Sequence, residues 1–377
     1  MKRVCAFLLS AVMVSALAGC GATPSDDPEA SAAEPQTTQT QTTQTQTTQA
    51  ETIAADVNDR LDKALTDARF EGIVQISKGG SVIYQYAQGD DDNGKPLTID
   101  ASMPIGSVSK QFCAACILFL CEQNVLSVED TLDKYYPDYK HGKELTVKNL
   151  LNMSSGLRNY LELVEPSMFG EDEWENTTAI TKTIFEQEFR FEPGKDYEYS
   201  NSNYFLLAQI VEKASGIAYH KFLREQFFEP LGMTHTGFVE EIAKDTAWAS
   251  ALSAEELKKD YFYLPGLTKG AGDVVSNAED MDKWMRGLSG GKILSAEGFR
   301  QMTENVNPNS AEEYGYGLWH MTYGGVGHVG QIPPSFGAVD YLNTERDVYL
   351  FAVSNTGRGM STVQDIPQTL LSVLLEQ

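Results

Sequence analysis

PIGSVSKQFCAACILFLCEQ, residues 104–123, becomes apolar almost without a break after its first few residues. Large apolar side chains such as Phe112 and Ile117 fall on every side of a helical wheel, with small Ala and Cys residues between them. A helix that is apolar all round is a buried helix, so the stretch predicts a core helix that starts near residue 107. Its first turn nevertheless carries Ser107 and Lys110, and a buried lysine is costly unless it is paired or used in chemistry.

Ser107 and Lys110 are three residues apart and therefore lie on one face of the predicted helix. A serine hydroxyl is a poor nucleophile until a base takes its proton, and a lysine in an apolar setting has a lowered pKa and can be that base. The helix N-terminus adds backbone N–H donors suited to an oxyanion. The pair therefore predicts a nucleophile and its base, although Ser289 and Lys292 share the same spacing and show that spacing alone is a weak signal.

Two further triplets could supply partners for this pair. Tyr199 and Asn201, in PGKDYEYSNSNYFLL, come just before an amphipathic helix. A phenol beside an ammonium loses its proton more easily and can serve as acid or base, while Asn201 can orient a substrate amide. His328 and Gly330 fall on a predicted late strand, where a glycine lets a substrate backbone approach closely. Residues 341–343 repeat the Tyr-x-Asn spacing, but at a strand end before a turn.

The order of the predicted elements indicates the fold class. A helical pattern over residues 56–70 precedes GIVQISK and SVIYQYAQG, which flank Gly79-Gly80 as a β-hairpin. Helical patterns dominate residues 127–250, and strand patterns return in GYGLWHMTY, GVGHVGQ, SFGAVDYLN and DVYLFAVSN before a closing helix. We expect an α/β (α+β) fold, in which an antiparallel sheet is flanked by the terminal helices and an all-helical lobe is inserted. A cleft between the lobes is the expected position of the site.

Composition and charge exclude several classes of function. The 377 residues carry a formal net charge of −24, whereas a nucleic-acid binder needs a basic face. Five histidines without an H-E-x-x-H motif or a paired cluster predict no metal site, and we expect no cofactor. The Cys113–Cys116 spacing resembles a redox or zinc motif but lacks its context, so we interpret these cysteines as small buried hydrophobes.

The N-terminal region has the composition of an export and anchoring segment. Residues 1–19 have a basic start and an apolar run, which predicts a signal peptide, and LAGC (Leu17 to Cys20) looks like a bacterial lipobox. Cys20 would then be lipidated and anchor the protein to the outer face of the cell membrane. Residues 20–55 are rich in Thr and Gln and predict a disordered tether, which leaves 56–377 as the catalytic domain.

Ser-x-x-Lys, Tyr-x-Asn and His-x-Gly in this order resemble the penicillin-recognising serine hydrolases, specifically class C β-lactamases, related DD-carboxypeptidases and family VIII-type esterases. Flanking segments such as LLNMSSGL, EPLGMTHTGF and GAGDVVSNAEDMDKWM agree, and the resemblance covers residues 70–375. It implies a β-lactamase/transpeptidase-like fold and an acyl-enzyme mechanism. It also implies a small-molecule or peptide substrate of the cell envelope, either D-amino-acid peptides of the cell wall or β-lactams.

The resemblance also implies roles for individual residues. Ser107 would attack an acyl carbonyl, while Lys110 and Tyr199 would shuttle protons to the leaving group and from the deacylating water. Asn201 would hold the substrate amide. The remaining implied site residues are His328 and Gly330 as substrate-binding residues, and the backbone N–H groups of Ser107 and Gln331 as the oxyanion hole.

The third motif departs from the family pattern. Val329 stands where a hydroxyl often helps to hold a substrate carboxylate, and Gln331 and residues 333–334 replace a Gly-rich continuation. Carboxylate recognition is therefore open, and an esterase remains an alternative. His235-Thr236-Gly237 matches the motif better by letter, but it lies well before the late strands and is rejected.

Two rival functions remain to be weighed against a hydrolase of this family. Residues 287–291 fit G-x-S-x-G, but an α/β-hydrolase elbow needs a strand before it and a histidine after it, and no histidine follows His328. A non-catalytic cell-wall peptide binder or sensor on the same scaffold would usually lose the nucleophile or the base, whereas Ser107, Lys110 and Tyr199 are all present here.

The oligomeric state is not indicated by the sequence.

Overall fold

In the computed structural model of the protein, the described residues are 55–91, 94–242, 264–304, 307, 313–333, 336–356 and 360–375. They fall within a single compact unit that spans residues 49–377. The predicted signal peptide, Cys20 and the tether up to residue 54 lie outside the described residues.

The main sheet joins early and late segments of the chain, as the sequence predicts. Its strands are β1 (Gly72–Lys78), β2 (Ser81–Gln88), β6 (Trp319–Met321), β7 (Gly325–Gly327), β8 (Val329–Ile332), β9 (Phe336–Asn343) and β10 (Val348–Ser354). The order is β2-β1-β10-β9-β7-β6, with β8 also paired to β9, and every pairing is antiparallel. A second sheet has the order β3-β5-β4, from β3 (Met103–Pro104), β4 (Gly237–Phe238) and β5 (Val274–Ser276).

The β1–β2 hairpin has the predicted two-residue turn. Lys78 pairs with Ser81, and Gly79 and Gly80 between them have φ of +57° and +79°. Positive φ at both central positions is the geometry that lets a two-residue turn follow the strand twist, and glycine adopts it without steric cost.

Helices cover the sheet and form the inserted lobe. The described α-helices are α1 (Ala55–Asp67), α2 (Lys110–Glu122), α3 (Val147–Leu151), α4 (Glu173–Phe185), α5 (Asn201–Ser215), α6 (Tyr219–Leu223), α7 (Glu229–Leu231), α8 (Val239–Ile242), α9 (Ala278–Ser289), α10 (Ala296–Thr303), α11 (Met360–Val363) and α12 (Ile366–Leu375). The terminal helices α1 and α12 pack on one face of the sheet, where Leu61 and Leu370 share a core cluster with Val74 and Leu350. On the opposite face, helix α9 packs against β1 and β10, and Ile73, Phe351 and Val353 of the sheet share a second core cluster with residues of α2, α5 and α9.

Helix α2 is the buried helix that the opening stretch predicts. Ten of its 13 residues are buried, including Lys110 and Phe112. The Phe112 ring stacks on Trp284 of α9 with centroids 3.9 Å apart, and each fully buried aromatic side chain contributes about 1.5–3 kcal/mol of transfer free energy. Cys113 and Cys116 are buried free thiols, which agrees with their interpretation as small hydrophobes. None of the described helices is long and apolar enough to cross a bilayer.

Candidate active site

Ser107 lies in a tight turn at the base of the lobe. A 3₁₀ turn, Gly106–Ser109, connects β3 to α2, so Ser107 precedes the α-helix instead of starting it. Gly106 has φ of +53°, and a Cβ at this position would lie 2.6 Å from the backbone nitrogen of Gln331. Only glycine fits there, and it presses the Ser107 turn against the late strand β8.

Lys110 opens helix α2 with its side chain fully buried. Its Nζ is 2.9 Å from Ser107 Oγ, 2.8 Å from Asn201 Oδ1 and 2.7 Å from the Ala271 carbonyl oxygen. No carboxylate of the described residues forms an ion pair with this amine. Burial lowers the pKa of Lys110 to about 7, against opposing effects of Cys113 and Asp273. A substantial fraction of Lys110 is therefore neutral near pH 7 and able to take the Ser107 proton.

Tyr199 lies beside this pair, although its pKa moves in the direction opposite to the one expected from the sequence. Lys110 Nζ is 5.0 Å from the centre of the Tyr199 ring, so the amine faces the ring. Burial raises the pKa of Tyr199 above its usual range, and the Ser107 hydroxyl only partly opposes that rise. The expectation that a nearby ammonium eases loss of the phenol proton does not hold here, because burial of the phenol disfavours its charged form. A protonated Tyr199 suits the role of proton donor.

Asn201 connects Lys110 to a residue that the sequence did not single out. It is the first residue of α5, and its Oδ1 accepts from Lys110. Its Nδ2 donates to Asn159 Oδ1 at 3.3 Å. The side chain of Asn201 thus holds the Lys110 amine, whereas the sequence predicts a substrate contact for it.

His328 lies between β7 and β8 and is fully buried. Its Nδ1 is 2.7 Å from the Val329 carbonyl oxygen, which can only accept, so Nδ1 carries the proton. The other ring nitrogen, Nε2, is then an acceptor at 3.3 Å from the Tyr314 hydroxyl. Burial and the charge of Lys110 hold the pKa of His328 well below its ordinary value. His328 is therefore a neutral residue and cannot supply a positive charge to a substrate.

A buried hydrogen-bond chain fixes the His328 backbone. The His328 N–H donates to Asp340 Oδ1 at 2.7 Å, and Gln111 Nε2 donates to Asp340 Oδ2 at 2.8 Å. Trp284 Nε1 in turn donates to Gln111 Oε1 at 2.9 Å. Burial raises the pKa of Asp340 to about 7, against the opposing hydrogen bonds. Sequence reasoning missed this chain, since Gln111 and Asp340 are 229 residues apart.

The backbone of β8 turns one amide toward Ser107. The Asp340 N–H donates to the His328 carbonyl at 3.1 Å, and the register continues to Gln331 opposite Gly337. Hydrogen-bonded and non-hydrogen-bonded pairs alternate in an antiparallel ladder, so the Gln331 N–H points away from β9. It faces the Gly106 backbone and hence the Ser107 turn. This direction is the one that an oxyanion hole made of the Ser107 and Gln331 amides requires.

Gly330 makes this close approach possible. A Cβ on Gly330 would lie 2.0 Å from the Ile105 carbonyl oxygen and 2.9 Å from the Ser107 nitrogen. The sequence suggested that this glycine admits a substrate backbone. The structure gives it a different neighbour, because the backbone that approaches Gly330 belongs to the nucleophile turn of the same chain.

Val329 projects to the other side of the sheet. Its side chain packs on the core cluster beneath the terminal helices, whereas His328 and Gly330 face the Ser107 side. The side chain at position 329 is therefore not where a substrate carboxylate would be held, and the doubt raised by the missing hydroxyl does not follow from this residue.

Aromatic rings form one wall of the site. The Trp319 ring on β6 stacks on Tyr199 with centroids 5.5 Å apart and lies 4.1 Å from the His328 ring. Tyr314 packs edge-on against both Tyr199 and Trp319. The sequence did not single out Trp319 or Tyr314.

The rejected motifs lie elsewhere and have structural partners. The His235 N–H and the Thr236 hydroxyl both donate to Asp280 of α9. Ser289 ends α9 and donates to the Met285 carbonyl oxygen at 2.8 Å. Within the described part of the chain, no group of three His, Cys, Asp or Glu side chains is arranged to hold a metal ion.

Comparisons with known proteins identify the family. Residues 57–374 match the protein family described as Beta-lactamase. The chain belongs to the Beta-lactamase family of serine hydrolases. PbpX of Bacillus subtilis (strain 168), assigned by its name to the penicillin-binding proteins, is 31% identical over 70% of this chain and 66% of its own length. A D-aminopeptidase of Brucella anthropi is 29% identical over 69% of this chain and 51% of its own length. The chain thus spans from about half to just under two thirds of these two relatives.

Solved structures of the family show the same architecture. The D-amino acid amidase from Ochrobactrum anthropi SV3, in complex with D-phenylalanine, superposes with a TM-score of 0.72 at 25% identity, covering 86% of this chain and 100% of the amidase. The octameric penicillin-binding protein homologue from Pyrococcus abyssi gives a TM-score of 0.68 at 25% identity, covering 85% of this chain and 77% of that one. The predicted β-lactamase/transpeptidase-like fold is therefore confirmed.

Proposed function

We propose that this family member is a hydrolase that forms an acyl-enzyme on Ser107 with D-amino-acid peptides of the cell wall or with β-lactams. The observation that carries the proposal is the 2.9 Å contact between Ser107 Oγ and a fully buried Lys110 amine whose pKa is lowered to about 7. A buried lysine with no carboxylate partner is costly in a merely structural role, and a neutral amine at this distance is a suitable general base.

The proposed steps use residues that lie together. Lys110 takes the Ser107 proton, and the Ser107 oxygen bonds to the substrate carbonyl carbon, whose oxygen becomes an anion held by the Ser107 and Gln331 amides. The carbonyl then re-forms, the bond to the leaving group breaks, and a proton passes to that group from Lys110 or Tyr199. Water attacks the acyl-enzyme by the same route, which releases the acid and restores Ser107.

The names of the relatives support substrates that contain D-amino acids. A D-aminopeptidase and a D-amino acid amidase both match this chain, alongside proteins named as penicillin-binding. D-amino-acid peptides and β-lactams present an acyl carbonyl next to an amide, and many of them also carry a free carboxylate. A small neutral ester lacks the carboxylate, and the alternative of a family VIII-type esterase predicts that such esters are the better substrates.

An unpaired arginine, Arg158, favours a substrate with a carboxylate. Arg158 precedes Asn159, whose side chain is hydrogen-bonded to Asn201. The Arg158 carbonyl oxygen accepts a hydrogen bond from Ser202 in the first turn of α5. Among the described residues the Arg158 guanidinium has no ion-pair partner, and its Nε is buried with no hydrogen-bond partner. The Arg158 backbone adjoins Asn159 and α5, and we infer that its half-buried, unpaired guanidinium binds a carboxylate of the substrate.

The test compares matched substrates on the full chain. A peptide that ends in D-Ala-D-Ala is offered as the free acid and as the C-terminal amide, beside a fluorescent penicillin and a neutral p-nitrophenyl ester. Hydrolysis of the acid, or a penicillin adduct, supports the proposal. If only the neutral ester is turned over, the esterase alternative is correct, and if nothing reacts with Ser107 the non-catalytic binder is favoured.

Replacing Arg158 with glutamine should weaken recognition of the acid substrate selectively. We expect kcat/KM for the D-Ala-D-Ala acid to fall by about 10- to 100-fold, mainly through KM, because one charge-assisted interaction is worth about 1.5–3 kcal/mol. The amide form should change little. Arg190→Gln is the matched control, since Arg190 lies nearby and is already paired with Glu162 and Glu198. Equal losses for acid and amide would show that Arg158 does not read the carboxylate.

We also propose that the chain is exported and anchored to the outer face of the cell membrane through a lipid on Cys20. The support is the apolar leader that ends in LAGC, followed by a Thr- and Gln-rich segment. In a bacterial host grown with an alkyne fatty acid, the full chain should take up the label and sediment with membranes. Cys20→Ser should lose the label and leave the membrane fraction, and retention of both would refute the anchor.

A further inference from the structure

A buried carboxylate, Asp273, lies two residues after Ala271, whose carbonyl oxygen accepts from the proposed base. Asp273 is 2% exposed, and its Oδ2 is 2.7 Å from His220 Nε2. Its other oxygen, Oδ1, is buried and has no hydrogen-bond partner among the described residues. A half-satisfied buried carboxylate destabilises a fold, so a function for the charge is worth seeking.

The segment that carries Asp273 is attached directly to the nucleophile turn. Ala271, two residues earlier, gives its carbonyl oxygen to Lys110 Nζ at 2.7 Å. The Val274 N–H donates to Ser109 Oγ at 3.1 Å, and the Asp273 carbonyl oxygen accepts from the Val239 N–H at 3.0 Å. Asp273 thus lies between Ala271, which contacts Lys110, and Val274, which contacts Ser109 of the 3₁₀ turn.

Among the described titratable groups that act on Lys110, Asp273 is the one that supplies a negative charge. The titratable groups that surround the amine are the Ser107 hydroxyl, the rings of Tyr199 and Tyr204, the Cys113 thiol, His328 and Asp273. Burial raises the pKa of Cys113 and of both tyrosines and lowers that of His328, so all four are neutral near pH 7. Asp273 is the carboxylate that opposes the fall in the Lys110 pKa.

His220 is placed to modulate that charge. Its ring stacks on Phe238 with centroids 3.8 Å apart, which fixes its orientation toward Asp273. The His220 side chain is 17% exposed, so solvent reaches part of the ring. Around Asp273 the other titratable groups are Cys113, Cys116 and Tyr219, whose pKa values burial raises, so they stay neutral.

We propose that the Asp273–His220 pair is an electrostatic positioning device that sets the pH at which Lys110 becomes a base; this rests on the proposed role of Lys110. With His220 neutral, the pair carries one negative charge and stabilises the Lys110 ammonium. With His220 protonated, the pair is neutral overall and the ammonium loses that support. Asp273 acts through Lys110 and does not touch the substrate.

The test measures how fast Ser107 reacts with an alkyl fluorophosphonate as a function of pH, on the full chain. In this reaction the Ser107 oxygen bonds to phosphorus, fluoride leaves, and Lys110 takes the hydroxyl proton. The rate should rise with pH through the Lys110 pKa, because the neutral amine is the active form. Asp273→Asn removes the negative charge, lowers that pKa and should move the half-maximal rate to lower pH by about 0.5–1.5 units.

Two variants make the result decisive. Asp282→Asn is the matched control, because Asp282 also has one unpartnered buried oxygen and a basic partner, Arg286, but lies on α9. It should leave the half-maximal pH unchanged. His220→Gln removes the group that cancels the charge and should move the half-maximal pH upward, which keeps the test available if Asp273→Asn does not fold.

The outcomes separate this proposal from the proposed function. If wild type is never labelled at Ser107, the proposed function fails. If wild type is labelled and its rate rises with pH, but Asp273→Asn only lowers the rate without moving the half-maximal pH, Asp273 is structural and the positioning role is overturned. An unchanged or lowered half-maximal pH in His220→Gln overturns it as well.

Discussion

Replacing Ser107 with alanine is expected to abolish covalent labelling and to lower hydrolysis by at least about a thousandfold, because Ser107 is the hydroxyl hydrogen-bonded to Lys110, while burial keeps the nearby Cys113 thiol and Tyr199 phenol protonated. The fold should be little affected, since the described partners of the Ser107 hydroxyl, the Lys110 amine and the Tyr199 phenol, are groups of the site itself. Intact-protein mass spectrometry after exposure to a fluorescent penicillin and to a fluorophosphonate gives the readout. Wild type should gain the mass of one probe, and the variant none.

Ser289→Ala is the matched control for this experiment. Ser289 and Lys292 have the same Ser-x-x-Lys spacing, but Ser289 ends a helix and donates to the Met285 carbonyl oxygen. Its replacement should leave labelling intact. An adduct that survives in Ser107→Ala and disappears in Ser289→Ala would move the nucleophile to α9 and reject the proposed site.

Gly330→Ala is expected to disrupt the site although Gly330 has no side chain to contribute. The added Cβ would lie 2.0 Å from the Ile105 carbonyl oxygen, far inside van der Waals contact. Strand β8 must then move away from the nucleophile turn, which separates the Ser107 and Gln331 amides. We expect labelling of Ser107 to slow by at least about 100-fold, the usual cost of losing one oxyanion donor. The free energy of unfolding should fall by about 1–3 kcal/mol through overpacking.

Labelling rates and denaturant unfolding measure the two effects of Gly330→Ala separately. Gly170→Ala is a suitable control, because a Cβ at Gly170 would meet no atom within 4 Å. If Gly330→Ala is labelled at the wild-type rate, close contact between β8 and the Ser107 turn is not required for the chemistry.

The strongest local patterns predicted the fold well. The two-glycine turn and its flanking strands, the helix that is apolar all round and the late strands each produce their element through local propensity and burial. The pairing of early with late strands also followed, because an exposed pair of edges is unfavourable and the remaining strands are the natural partners. Ser107 in a 3₁₀ turn was not foreseen, since helix starts are the least determined part of a periodic pattern.

Long-range polar contacts could not be predicted from the sequence. Asp340 holds the His328 backbone, and Asp273 is proposed to tune Lys110. They lie 229 and 163 positions beyond Gln111 and Lys110, and no local pattern connects them. The direction of the Tyr199 pKa shift depends on burial, which a sequence does not show. The orientation of Val329, by contrast, could have been inferred, because neighbours along a strand face opposite sides and His328 was already assigned to the site.

The contact between Gly330 and the Ser107 turn has a consequence for the time at which activity first arises. Ser107 and Lys110 are synthesised more than 200 residues before Gln331, and the strand that carries Gln331 is held by β9, which ends at Asn343. Non-local strand pairing is slow because loop-closure entropy must be overcome before the contacts form. Under the proposed function, a growing or partly folded chain thus has Ser107 without the Gln331 amide, and we expect reactivity only when the last strands dock.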